Sequence, residues 1–178
     1  SMADAAVDPG VAGPVPGSRR VRSAAEVAAG WDRLAAGLQP VVAAGDVVLL
    51  GVLLGALPTL AALASRLHGD FVLETCRVAR YRGQVAAGGL AWLCRPQLAL
   101  RDRRVVVVDD INDDGTTLAA VAGWCRAEGA REVCTAVLVE RQRAPGAPRA
   151  DFAGLTVGPG YLYGCGMDVG GRFRHLPD

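Results

Sequence analysis

The sequence predicts an α/β fold in which a mostly parallel central sheet is flanked by helices, and three observations carry that prediction. Three runs, at 47–55, 105–108 and 133–139, are continuously apolar and rich in β-branched residues, as strands buried on both faces are. Segments of helical period follow the first two runs, and a strand followed by a helix is half of a parallel layer. The chain has 178 residues, of which 51% are hydrophobic and 21% charged, enough to fill the core of one ordinary domain. Its 19 Lys and Arg stand against 18 Asp and Glu, so no basic field exists to attract nucleic acid or membrane.

Residues 1–22 are dominated by Ala, Gly, Val and Pro and end in Arg19, Arg20 and Arg22, and they read as a flexible leader before a single domain over 23–178. Ser23 and Glu26 have capping-box spacing, and Val27, Trp31, Leu34 and Leu38 recur at helical intervals, which predicts a first helix up to Pro40. After the first apolar strand, Pro58 opens a second helical pattern through Leu60, Leu63, Ala64 and Leu67 that ends near Gly69. Residues 71–77 can form the next strand despite Glu74. The segment 80–90, RYRGQVAAGGL, has three glycines and no period, and it reads as a mobile loop of the kind used as a lid.

The second apolar strand runs into DDINDDGTT and then a helix over 116–128. The third strand is followed by a surface connection over 142–149, by strand-like pieces at 152–157 and 161–163, and by a polar tail. No internal repeat is seen. Five cysteines, an odd number with no C-x-x-C pair, fit a reduced compartment better than a disulfide framework or a zinc site. Cys76, Cys94, Cys125 and Cys134 read as small buried hydrophobes. The acidic and small residues after Met2 do not form a signal peptide, and the apolar run at 47–57 falls short of the roughly 20 residues of a membrane span. A cytoplasmic protein is expected.

The chemistry concentrates at 105–117, VVVVDDINDDGTT. The carboxyl ends of strands in an open parallel sheet face the ligand crevice, and the next helix turns unpaired N–H groups toward it. Asp113, Asp114, Gly115, Thr116 and Thr117 at that junction offer amides and hydroxyls to one phosphate. Four carboxylates in six residues, Asp109, Asp110, Asp113 and Asp114, repel one another unless a cation or hydrogen-bond donors sit among them; Mg²⁺ and sugar hydroxyls both qualify. The pattern is neither a Walker A loop nor a dinucleotide fingerprint, because Lys does not follow Gly115 and G-x-G-x-x-G is missing.

A hydrophobic strand, two acidic residues, a hydrophobic residue and then D-x-G-x-T resembles the phosphoribosyl diphosphate signature of type I phosphoribosyltransferases. Over 45–178 the chain is similar to hypoxanthine-guanine phosphoribosyltransferases, through GVLLGALPTLAAL at 51–63, AVLVERQR at 136–143, YLYGCGMD at 161–168 and RFRHLPD at 172–178. The resemblance implies the type I phosphoribosyltransferase fold, with a small hood built from both ends of the chain. It implies transfer of a 5-phosphoribosyl group from phosphoribosyl diphosphate to a 6-oxopurine, with Mg²⁺ as cofactor and a homo-dimer or homo-tetramer as the assembly. Under it, Asp109 and Asp110 hold the ribose hydroxyls directly or through the metal, and Asp113 handles the proton of the base. The stretch from Asp114 to Thr117 wraps the 5′-phosphate.

The same resemblance assigns Leu54 and Gly55 to a diphosphate loop that often has a cis peptide, and Arg80 and Tyr81 to the start of a catalytic loop that closes over the sugar. It assigns Tyr161 to stacking on the purine, Leu162 to reading its edge through backbone groups, and Arg141 to the exocyclic oxygen at purine C6. Asp168 becomes a metal ligand and Arg174 a diphosphate contact. Departures from the family are Leu54 and Arg141 where lysine is usual, Arg80 where serine is common, Asp109 where glutamate is more often found, and Asp114 where threonine is. Glu140 reads as an ion-pair partner of Arg141. The alternatives are the same reaction on another base such as xanthine, and a regulatory protein that binds nucleotide with little turnover.

Overall fold

The computed structural model describes residues 12–79 and 91–178. Among the described residues six strands and three helices follow one another in the order α1 (Ala24–Ala43), β1 (Val47–Leu53), α2 (Leu57–Ala64), β2 (Phe71–Ala79), β3 (Ala91–Cys94), β4 (Arg104–Asn112), α3 (Thr116–Ala127), β5 (Glu132–Arg141) and β6 (Phe152–Val157). The strands form one sheet in the order β3-β2-β1-β4-β5-β6. Every neighbouring pair is parallel except β2 with β3. This is the mostly parallel, helix-flanked sheet of the type I phosphoribosyltransferase fold.

Period-two alternation sorts the strand side chains onto two faces. Val47, Leu49, Val106 and Val108 pack with Leu34, Leu38, Leu60 and Leu63 of α1 and α2 on one face. Val48, Leu50, Val105 and Val107 meet Leu118, Val121 and Cys125 of α3 on the other. Burying each such side chain contributes about 1.5–3 kcal/mol, and in β1 and β4 both faces contribute.

The capping box forms as read: Ser23 Oγ accepts from the Glu26 N–H at 3.2 Å, and Glu26 Oε2 accepts from the Ser23 N–H at 2.8 Å. Helix α1 does not stop at Pro40, because Val42 in the following turn is buried in the core and the Ala44 N–H reaches the Pro40 carbonyl at 3.2 Å. Strand β4 runs four residues past the valines, to Asn112, since β5 keeps pairing alongside it as far as Asn112 with Glu140. Asp109 and Asp110 therefore lie on the strand and only Asp113 to Gly115 make the turn. Glu74 belongs in β2 because its carboxylate turns back to cap the Gln97 and Leu98 N–H groups at 3.0 and 2.9 Å.

Three readings are corrected. Strand β3 was not anticipated; its Trp92 packs on Trp124 of α3 at 4.7 Å between ring centroids, which anchors a four-residue edge strand. Residues 161–163 form no strand, and the chain there turns through isolated bridges at Gly164 with Met167 and Val169 with Arg172. Cys94 is exposed and Cys134 half-buried, because β3 lies at the sheet edge and Cys134 near the start of β5. Cys76 and Cys125 are buried, and burial pushes both thiols up to about 12.

Residues 12–22 lie against the C-terminal segment. Ser18 Oγ and Tyr163 Oη are 2.5 Å apart, Arg20 pairs with Asp178 at 2.8 Å, and Val21 packs on Val27, Leu138, Val139, Val157 and Cys165. Residues 1–11 of the expected leader and the loop at 80–90 lie outside the described residues. Among those described, no helix is long and apolar enough to cross a membrane.

Candidate active site

The carboxyl ends of β1 and β4 and the N-terminus of α3 converge on a cavity of about 170 Å³ lined by Leu53, Val78, Asp109 to Gly115, Thr117 and Leu118. Gly115 precedes the first turn of α3 with φ 84°, a left-handed conformation that glycine adopts without penalty. That turn aims the first N–H groups of the helix at the acidic segment. Asp114 answers them itself: its Oδ1 accepts from the Thr116 N–H at 2.9 Å and from the Thr116 hydroxyl at 2.5 Å.

Asp109 Oδ1 accepts from the Asp110 N–H at 2.9 Å, and Asp110 Oδ1 accepts from the Ile111 N–H at 2.6 Å. Asp110 is only 8% exposed. A Cβ at Gly55 would collide with its carboxylate, and one at Gly166 would strike the Gly55 carbonyl, so three separate segments close on this aspartate. Burial pushes the Asp110 carboxyl above its ordinary range, opposed by hydrogen bonds from Asp109 and Ile111 and by the charge of Arg174.

Arg174 donates from Nη1 to the Gly166 carbonyl at 2.5 Å and pairs through Nη2 with Asp168 Oδ1 at 2.9 Å. The other Asp168 oxygen accepts from the Gly171 N–H at 2.6 Å. Gly55, Asp110, Asp168 and Arg174 are thus brought together although they span the chain. Leu54 is exposed at the turn after β1, and the Leu53–Leu54 peptide is cis.

Tyr161 and Leu162 lie elsewhere: they line a second cavity of about 390 Å³ between the 12–22 segment and the ends of β5 and β6, which shares no lining residue with the first. Tyr161 is 76% exposed, and its hydroxyl donates to the Asp168 carbonyl at 2.5 Å. This larger cavity mixes aliphatic side chains such as Leu138, Val139, Leu155 and Val157 with Arg19, Arg20, Arg22 and Tyr163, whereas the carboxylates and the helix N-terminus surround the smaller one. Arg141 reaches between the acidic turn and the segment leading to Tyr161, with Nε on Asp113 and Nη1 on the Gly158 carbonyl at 3.0 Å. Arg80 and Tyr81 lie outside the described residues.

Glu140 does not pair with Arg141. Successive residues of a strand point to opposite faces, so Glu140 turns inward where Arg141 turns to the crevice. There it accepts from Asn112 Nδ2 at 3.0 and 3.1 Å, from Arg143 Nη2 at 3.1 Å and from the Ala150 N–H at 3.0 Å. A charge directly after the apolar run 136–139 is the sequence signal for this group. Among the described residues, no cluster of three or more His, Cys, Asp or Glu side chains is arranged as a metal site.

The family model for the phosphoribosyl transferase domain matches residues 20–163. The chain belongs to this phosphoribosyltransferase family. It is 27% identical over 130 residues to the hypoxanthine-guanine phosphoribosyltransferase of Bacillus subtilis, covering 72% of each chain. A hypoxanthine-guanine phosphoribosyltransferase structure from Bacillus anthracis superposes with a TM-score of 0.81 at 21% identity, covering 90% of this chain and 95% of that one. A Trypanosoma cruzi hypoxanthine phosphoribosyl transferase gives 0.80 at 20% identity, covering 88% and 86%. The phosphoribosyltransferase match spans the acidic turn, both strands that lead to the cavity and Arg141; Asp168 and Arg174 lie beyond it.

Proposed function

We propose that the chain transfers the 5-phosphoribosyl group of phosphoribosyl diphosphate to N9 of a 6-oxopurine, hypoxanthine or guanine, and releases diphosphate. The observation that carries this reading is the acidic turn at the cavity, where carboxylates for a ribose and the N–H groups of α3 for a phosphate lie side by side in a phosphoribosyltransferase. Relatives named for this base pair support the choice of purine.

In this reading Thr117, Gly115 and the first amides of α3 bind the 5′-phosphate. Asp109 and Asp110 take the ribose hydroxyls. Asp113 accepts the proton that the purine loses as its nitrogen bonds to the sugar. Arg141 has five N–H donors and gives one to Asp113 and one to Gly158, so others remain for the exocyclic oxygen of the base. Tyr161 supplies a face for stacking, Leu162 a backbone edge, and Arg174 a charge for diphosphate with the turn at Leu54 and Gly55. Arg80 and Tyr81 are substrate contacts in this reading.

Mg²⁺ suits the donors: Asp109, Asp110 and Asp168 are hard oxygen ligands, and this ion is commonly held by one or two carboxylates with substrate phosphates completing its shell. When bound, it neutralises charge on the departing diphosphate. A second reading, a nucleotide-binding regulator, is favoured by the Arg141–Asp113 pair, which occupies the carboxylate that would take the proton.

Diphosphate release with hypoxanthine, guanine, xanthine and adenine, each with Mg²⁺ and phosphoribosyl diphosphate, separates the readings. Release with hypoxanthine or guanine is expected. Release with xanthine alone transfers the reading to that base, and no release from any base together with tight mononucleotide binding points to the regulator.

A further inference from the structure

We infer that Glu140 is a positioning residue for the phosphate-gripping turn, acting through Asn112, Arg143 and Pro148; this rests on the function proposed above. Asn112 and Glu140 are the last partners in the β4–β5 ladder, and beyond them β4 enters the acidic turn. Glu140 is 5% exposed and Asn112 2% exposed, so the carboxylate is a desolvated charge that must be met by donors. It is met from three directions: Asn112 on β4, Arg143 just beyond β5, and the backbone of Ala150 at the far end of the 142–150 connection.

The connection thus bound backs directly onto Gly115. A Cβ at Gly115 would lie 3.3 Å from Arg143 Nη1, 3.4 Å from Pro148 Cβ and 3.5 Å from the Pro148 carbonyl oxygen. Arg143 also donates to that carbonyl, and Asn112 Nδ2 reaches it at 3.3 Å. The left-handed residue that opens α3 is therefore seated on a wall whose two parts, Arg143 and Pro148, are both fastened to Glu140 or to its partner Asn112. None of these groups lines the purine side, where Arg141, on the opposite face of β5, is tied to Asp113 and Gly158 instead. Loosening the wall should let Gly115 and the first amides of α3 drift while the contacts of the base stay in place.

The test is calorimetric binding of phosphoribosyl diphosphate with Mg²⁺, paired with the KM of the base, for the unaltered chain and for Glu140→Gln. The amide keeps the volume but loses the charge that holds Arg143 and turns a donor toward other donors. Loss of one charge-assisted hydrogen bond predicts a Kd for phosphoribosyl diphosphate about tenfold weaker. The base KM should change less than twofold. A merely structural role would weaken both ligands alike or neither, and either result overturns the inference. If Glu140→Gln does not fold, Arg143→Gln, which leaves the carboxylate with Asn112 and Ala150, is held to the same two numbers. An unaltered chain that binds phosphoribosyl diphosphate but turns over no base sinks the proposed reaction, and the Kd comparison still decides for or against Glu140. An unaltered chain that does not bind it overturns both.

Discussion

Burial works against the charged form of Asp110. Its carboxylate is enclosed by Gly55 and Gly166, and burial raises its pKa despite hydrogen bonds from its neighbours and the nearby Arg174. A carboxyl whose folded value lies above its unfolded value favours the fold below the unfolded value, near 3.8, and loses that contribution as pH rises through the folded value. In chelator-treated protein at pH 7, Asp110→Asn is therefore expected to raise Tm measurably in thermal unfolding. The gain should shrink toward pH 4. A variant less stable than the parent at pH 7, or a gain that does not fall with pH, would show that hydrogen bonds to the carboxylate outweigh its desolvation. That a carboxylate is kept in so unfavourable a place fits a site built for a ligand rather than for stability.

At the scale of elements, the junction of β4 and α3 is the proposed phosphate site, and its departure from the family pattern has a visible consequence. Asp114 folds back onto Thr116 and fills part of the N-terminal donor set that a phosphate needs. Asp114→Thr is expected to cost the helix about 0.5–1 kcal/mol, because an acidic side chain favours this end of the dipole. It should also tighten ribose 5-phosphate binding about three- to fivefold as the competing charge is removed, for about 1 kcal/mol of relief. Calorimetry that finds weaker binding would mean that Asp114 helps to form the phosphate site.

This junction was legible in the sequence because strand, turn and helix are contiguous, and valines followed by DDINDDGTT leave little choice. The extent of β4 was not. Nothing local says that β5 will pair as far as Glu140, and that pairing draws Asp109 and Asp110 onto the strand.

For the whole molecule, the continuously apolar runs sufficed to predict a parallel sheet with helices on both faces, since two-sided burial leaves such runs no other home. The contacts that close the site were beyond the sequence. Gly166 meeting Gly55, Arg174 beside Asp110, Arg141 on Asp113 and Glu140 on Arg143 depend on register and on which face each side chain takes, and a single residue of slip changes all of them. The separation of Tyr161 and Leu162 from the acidic cavity likewise follows from how the two ends of the chain pack together.

One claim underlies the rest: the turn between β4 and α3 receives the phosphate of a ribose. Backbone amide NMR of the assigned protein, titrated with ribose 5-phosphate and Mg²⁺, tests it most directly. Saturable shifts centred on Asp113 to Thr117, with Leu162 and the hood nearly unmoved, are the predicted result. Shifts that gather in the hood while Gly115 and Thr117 stay where they were would contradict it.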